Sequence, residues 1–221
     1  IVDNYDLSAV VQVSSGAAPL GGDVAALVGK RLNCMATQGY GMTELSPVSH
    51  LMPPALARAG ASGITAPNTE CRIVSTETGE DLTRGETGEL WVRGPQVMKG
   101  YLNSPDATAE ALDSDGWLHT GDIGHFDEDG YLFITDRVKE LIKYKGFQVA
   151  PAELEAELLT HPEIADVAVI GVPDEQAGEV PMAFVVPAPN TDLTLEDVQS
   201  YLEGRLSHYK QVRRMEIVSE I

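Results

Sequence analysis

The chain has 221 residues, 43% of them hydrophobic, and its 34 acidic and 15 basic side chains give a formal net charge of −19. This length buries a real core in one large or two modest domains, and the composition is that of a globular chain. The acidic excess argues against a nucleic-acid or anionic-membrane surface. No apolar run reaches membrane-spanning length, and the opening IVDNYDLSAVVQV lacks the basic start and cleavage site of a signal peptide. Cys34 and Cys71 stand alone without C-x-x-C spacing, which suggests neither a zinc site nor a disulfide framework and fits a reducing, cytoplasmic setting.

In chain order, the first part runs to about residue 61. An apolar β-type run, AVVQV (9–13), leads through the small-residue turn SSGAAPLGG (14–22) into a helix over 23–32, and a second β-like stretch follows at 33–37. A strand–turn–helix–strand unit of this kind belongs to an α/β layer, in which ligands bind at the loops leaving the strand ends. From 62 to 138 the pattern changes to short strands, ECRIVS, GELWVRG and GYLFIT, separated by Gly, Asp and Pro clusters, the pattern of a small β-rich subdomain. TETGEDL (76–82) and DEDG (127–130) read as hairpin turns, the second lacking the spaced ligands and closing glutamate of a calcium loop. The last part, 139–221, reads as α+β. PAELEAELL (151–159) places Pro at a first helical position and sets Leu154 and Leu158 on one face. DVAVIGV and MAFVVP read as strands, and a helix over 194–206 opens on a Thr194/Asp197 capping pattern. The fold class expected is α/β plus α+β.

Three stretches carry candidate chemistry. QGYGMTE (38–44) sets glycines around an aromatic ring, followed by a hydroxyl and a carboxylate. Those groups suit a nucleotide: a ring to stack on a base, backbone that comes close, a hydroxyl for phosphate and a carboxylate for magnesium. A glycine-rich loop with a tyrosine packed into the core fits the same letters. In DRVKELIKYKGFQVAPAELE (136–155), Arg137, Lys139, Lys143 and Lys145 fall within nine positions of an otherwise acidic chain. They read either as an anion site beside a domain junction or as a solvated face with i,i+4 pairing. In GWLHTGDIG (116–124), Asp122 is either a turn former or an acceptor for vicinal hydroxyls, the role an acidic residue plays for ribose in dinucleotide folds. His119 and His125, in the same turn-rich region, read as incidental histidines rather than metal ligands.

SGAAPL, QGYGMTE, GELWVRGPQVMKGYLN, GWLHTGDIG and DRVKELIKYKGFQVAPAELE occur in the order, and near the spacings, of the adenylate-forming superfamily. The chain most resembles the C-terminal portion of its 4-coumarate:CoA ligase-like acyl-CoA synthetases. That resemblance implies an ATP-dependent acid–thiol ligase. A carboxylic acid attacks the α-phosphate of ATP, pyrophosphate leaves, and coenzyme A takes the acyl group from the acyl-AMP. ATP, AMP, Mg2+ and coenzyme A are the ligands implied. The resemblance also implies the end of a large AMP-binding α/β domain, a β-rich subdomain and a mobile C-terminal α+β domain that turns about a hinge at Lys139.

Carried onto this chain, Gly16, Ala17, Ala18 and Pro19, with Gln38, Gly39 and Tyr40, would enclose adenine. Thr43 would bind phosphate, Glu44 magnesium and Asp122 the ribose hydroxyls. Arg137 would lie near ribose and phosphate, and Lys139 and Lys143 would reach the nucleotide in one domain arrangement or the other. Lys145 and Gly146 would line the route of coenzyme A, and Gln148 would support adenylation alongside Lys143. Gly41, Pro47 and Val48 would line the acyl pocket, where ELSPV departs from the EAGPV of the plant ligases. The family's phosphate loop and late lysine have no counterpart in these residues, since Gly29 and Lys30 sit in a helical context. On this reading the chain alone does not turn over. An adenylation domain that loads a carrier protein, and a nucleotide-binding homologue without catalysis, are the alternative readings.

Overall fold

A computed structural model describes residues 4–16 and 20–221, so Ala17, Ala18 and Pro19 lie outside the described residues. The chain divides into two compact units, residues 1–134 and 135–221. No helix among the described residues is long and apolar enough to cross a membrane.

The first unit opens with strand β1 (Gln12–Ser15), helix α1 (Gly22–Leu32) and strand β2 (Met35–Gln38). β1 starts later than the apolar run 9–13, because the Val10 N–H donates to the Leu7 carbonyl and turns the chain there. β1 and β2 are parallel, with Ser15 opposite Gln38, and α1 supplies the crossover that parallel pairing requires. Asn33 ends α1 at a φ of 51°, in the left-handed region that asparagine tolerates better than most residues, and its N–H donates to the Gly29 carbonyl.

The rest of this unit builds a seven-stranded sheet. Its strands are β3 (Tyr40–Gly41), β4 (Val48–Leu51), β5 (Gly63–Thr65), β6 (Glu70–Val74), β7 (Gly88–Arg93), β8 (Leu118–Phe126) and β9 (Tyr131–Arg137), in the order β3-β4-β5-β9-β8-β7-β6. The sheet runs through the expected boundary at residue 61, since Leu51 of β4 pairs with Ile64 of β5. Leu45, Leu90, Val92, Leu118 and Leu132 form its core, and Leu90 and Val92 reach it through the period of two along β7. A short helix, α2 (Pro105–Ala111), has proline in its first turn.

Residues 118–126, turn-rich by composition, form a continuous strand. Gly121, at a φ of 71°, opens an irregularity in the β7–β8 register, and the Thr120 hydroxyl donates to the Leu90 carbonyl across 2.7 Å. Bulges of this kind bend a strand and re-aim its next side chain, here Asp122. The 127–130 turn joins β8 to β9, with the Asp127 carboxylate accepting from the N–H groups of Asp129 and Tyr131. Asp127 and Asp129 both pair with Arg58, at 2.7 and 2.8 Å. His119 stacks on Trp91 and His125 on Phe133, which accounts for both histidines as packed side chains.

The second unit holds β10 (Ile142–Tyr144), β11 (Phe147–Val149), α3 (Pro151–Leu158), β12 (Ile164–Asp174), β13 (Gly178–Pro187), α4 (Leu195–Leu202) and β14 (Arg214–Ile217). Its sheet runs β11-β10-β13-β12, with β14 parallel to β13. Leu154 and Leu158 of α3 and Val198 and Leu202 of α4 are fully buried against Val149, Val185 and Val212. Each such burial is worth roughly 1.5–3 kcal/mol, so the leucine spacing read from sequence is what seats α3. The Thr194/Asp197 capping box is formed in both directions. α4 ends at Leu202 rather than 206, because Gly204 turns the chain at a φ of 78° and Glu203 bridges to Leu206.

Candidate functional site

In the first unit, a cavity of about 420 Å³ gathers Gly16, Gly39, Tyr40, Gly41, Thr43, Pro47 and Val48, all singled out from sequence. Ser14, Ser15, Met42, His50 and Leu51 complete its wall. The cavity sits where β1 ends and where β3 and β4 fold back on each other. Gly41 is there for space: a Cβ at this position would lie 1.9 Å from the Pro47 carbonyl oxygen. Any side chain would force the two strands apart and widen this wall.

Tyr40 presents its hydroxyl to Asp122, donating to Oδ2 across 2.5 Å. Asp122 is 9% exposed, and its own N–H donates to the Thr120 hydroxyl at 3.1 Å. The Gly121 N–H donates to Glu89 Oε1 at 2.9 Å, and Glu89 Oε2 accepts from the Trp91 indole at 2.8 Å, so the bulge is held on both sides. The sequence reading gave Tyr40 a ring for stacking; the structure adds a phenol that orients the candidate ribose acceptor. Gln38, expected among the adenine contacts, turns its amide to the backbone of Leu20. Its Oε1 accepts from the Leu20 N–H at 2.9 Å and its Nε2 donates to the Leu20 carbonyl at 3.1 Å. That pair pins Leu20 to the end of β2.

Thr43 and Glu44 lie in a 3-10 turn, Thr43–Leu45, anchored by fully buried Leu45. Glu44 is half-buried, with its backbone carbonyl accepting from Met98 N–H at 2.8 Å and its Oε1 accepting from the Tyr101 hydroxyl at 2.7 Å. Tyr101 lies in the MKGYLN segment, whose letters alone point to no role for it. The same holds for His50. It is fully buried beside Tyr40 and Phe126, its Nδ1 is 2.9 Å from the Ser49 hydroxyl, and desolvation pushes its pKa down to about 3. The imidazole is therefore neutral at ordinary pH. A single histidine carries no signal of burial in sequence.

In the second unit, the candidate residues of the basic stretch occupy the end of β9, a 3-10 turn (Val138–Glu140) and the β10–β11 hairpin. No α-helix spans residues 137–145, so i,i+4 pairing is not what spaces the cations. Lys143 and Gln148 are direct cross-strand partners. Lys145 and Gly146 are the two turn residues, with φ of 49° and 85°, the left-handed pair of a type I′ turn whose twist matches the strands it joins. The Lys145 N–H donates to the Ala177 carbonyl at 2.8 Å, and the Lys143 N–H to Glu179 at 2.8 Å. Arg137, Lys139, Lys143 and Lys145 are all exposed. Buried Asp136 accepts from the N–H groups of Arg137 at 2.7 Å and Ala152 at 3.1 Å, and burial raises its pKa. Asp136, Lys139, Glu140, Glu155 and Glu179 line a second cavity of about 360 Å³, so Lys139 stands in a groove that is otherwise acidic.

Residues 2–102 match the AMP-binding enzyme family, and residues 153–221 match the AMP-binding enzyme C-terminal domain. The chain is 52% identical over 227 aligned residues to a 4-coumarate–CoA ligase of Vanilla planifolia, covering 100% of this chain and 41% of that protein. Among solved structures, ATP-bound MatB from Rhodopseudomonas palustris superposes with a TM-score of 0.87 at 35% identity, covering 94% of this chain and 41% of that one. The amide bond synthetase McbA from Marinactinospora thermotolerans superposes with a TM-score of 0.88 at 36% identity, covering 100% and 45%. The chain thus spans about 41% of the length of the ligase it matches. With both family matches in sequence order and a mixed α/β architecture shared with these enzymes, the chain belongs to the AMP-binding, adenylate-forming enzyme family.

Proposed function

We propose that this chain carries nucleotide-binding and thioester-forming parts of an ATP-dependent carboxylic acid:CoA ligase, acting within a protein of its relatives' length. The observation that carries the reading is the first-unit cavity, where Gly16, Gly39, Tyr40, Gly41 and Thr43 come together and Tyr40 is joined to Asp122. Asp122 is the acceptor for the ribose hydroxyls, Thr43 the hydrogen-bond donor to phosphate, and Gly41, Pro47 and Val48 the wall against the acyl group. The mostly apolar lining from Met42, Val48 and Leu51 suits a carboxylic acid with an apolar body. The β-rich subdomain ends at a hinge at Lys139, and from there a mobile C-terminal domain presents Lys143 and Gln148 for adenylation and Lys145 and Gly146 for coenzyme A.

Little covalent chemistry is asked of the protein, so its contribution is positioning and charge stabilisation around a phosphate. Mg2+ is commonly held by one or two carboxylates together with substrate phosphates. Glu44 fits that role: it is half-buried and offers hard oxygens, and among the described residues its Oε2 has no hydrogen-bond partner. When bound there, the metal would offset phosphate charge. The cross-strand pairing of Lys143 with Gln148 supports their acting at one centre, since side chains opposite each other on a hairpin lie on the same face.

In the full-length protein, Asp122→Ala is expected to weaken ATP and AMP binding by about 1–3 kcal/mol, the range for hydrogen bonds to a charged group. Unchanged affinity by calorimetry would remove Asp122 from the site. Lys139→Pro, which fixes φ at the hinge, is expected to slow one half-reaction far more than the other. Equal loss in pyrophosphate release and thioester formation would place the pivot elsewhere.

A further inference from the structure

We infer that Tyr101 is a positioning residue for Glu44, built into the fold to hold one carboxylate oxygen so that the other faces a divalent cation; this rests on the reading of Glu44 as the magnesium ligand. The segment 98–101 grips Glu44 at both ends, through Met98 N–H to its backbone carbonyl at 2.8 Å and through the Tyr101 hydroxyl to Oε1 at 2.7 Å. The two contacts join residues 57 apart in sequence for the side-chain bond, so neither follows from local chain geometry.

The segment itself is fixed from the other side. The Tyr101 N–H donates to the Thr108 hydroxyl at 2.9 Å, and that hydroxyl donates to the Ser104 carbonyl at 2.8 Å. Gly100 has a φ of 143°, and a Cβ there would lie 2.8 Å from the Thr108 methyl. The start of α2 therefore sets the loop, and the loop sets the phenol. Tyr101 is 40% exposed, which packing alone does not explain for a large ring. Its position is explained by what its hydroxyl holds.

The energetic logic is that of an outer-shell partner. A carboxylate on a turn rotates about its own side-chain torsions, and a ligand that must be ordered on binding loses affinity to that entropy. A phenol that already holds Oε1 leaves Oε2 oriented and available. Loss of such a partner typically weakens metal affinity by about 10–100-fold.

The test uses the full-length protein with Mn2+ as the probe, titrated by electron paramagnetic resonance in the presence of a non-hydrolysable ATP analogue. Tyr101→Phe keeps the ring and removes only the hydroxyl. It is expected to raise the apparent Mn2+ dissociation constant by about 10-fold and to raise the Mg2+ concentration for half-maximal adenylation in parallel. Thr108→Val, which loosens the loop and leaves the phenol, is expected to shift both in the same direction by less. Glu44→Gln separates the two ideas. If Glu44→Gln weakens Mn2+ binding and Tyr101→Phe does not, the positioning role is overturned while the Glu44 reading stands. If Glu44→Gln also leaves Mn2+ binding unchanged, the assignment of Glu44 as metal ligand fails.

Discussion

The Tyr40 hydroxyl and the Asp122 carboxylate meet at 2.5 Å although 82 positions separate them in the chain. Tyr40 arrives at the edge of the seven-stranded sheet on β3, and Asp122 from the bulge in β8. In Tyr40→Phe the ring remains and the donor is lost from a carboxylate that is 9% exposed. We expect the variant to lose about 1–3 kcal/mol of stability, read from urea unfolding, and to bind AMP more weakly, though by less than Asp122→Ala. A variant with wild-type stability and AMP affinity would show that the bond neither supports the fold nor orients Asp122.

The hairpin turn at Lys145 and Gly146 gives a second prediction. Gly146 has a φ of 85° with open space around it, so a substitution meets backbone strain and no clash. Gly146→Val is expected to cost about 1–2 kcal/mol locally and to disturb the register that sets Lys143 opposite Gln148. Lys145→Asn retains a residue suited to the left-handed region and should preserve the turn. Pyrophosphate release should fall in Gly146→Val and survive in Lys145→Asn. Equal activity of the two would mean that turn geometry does not control the pair.

A pH dependence follows from His50. Its folded pKa, about 3, lies below the ordinary 6.5, so between those values the unfolded chain binds the extra proton. Stability present above pH 6.5 is therefore lost as pH falls through that window. One such group contributes a slope of about 1.4 kcal/mol per pH unit. Relative to His50→Asn, the wild-type protein should lose stability more steeply below pH 6.5 in denaturant unfolding. Parallel curves would show that His50 is not held neutral by the fold.

Local order was legible in the letters wherever a signal spans a few residues. The Thr194/Asp197 capping box, proline at the head of α3 and the buried Leu154 and Leu158 follow from short-range hydrogen bonding and helical period, and the structure has each of them. β8 was not legible, because Thr120, Gly121 and Gly124 break the alternation by which a strand is recognised. The same residues make the bulge that aims Asp122. The basic stretch gave its cations but not their setting: Glu155 comes from α3 and Glu179 from β13, and only the packed unit sets them beside Lys139.

The order of the five motifs was enough by itself to determine the family, since residue type and spacing survive in the letters without any fold. Gln38 shows the limit. Its place in QGYGMTE points to a nucleotide contact, and only the fold shows that its side-chain amide is held by the backbone of Leu20. Tyr40 with Asp122, Glu44 with Tyr101 and Lys143 with Gln148 were decided by tertiary structure alone. A hydrogen bond demands its donor within about 3 Å and well aligned, and sheet register, a bulge and a hairpin turn supply that alignment between residues that no local pattern links.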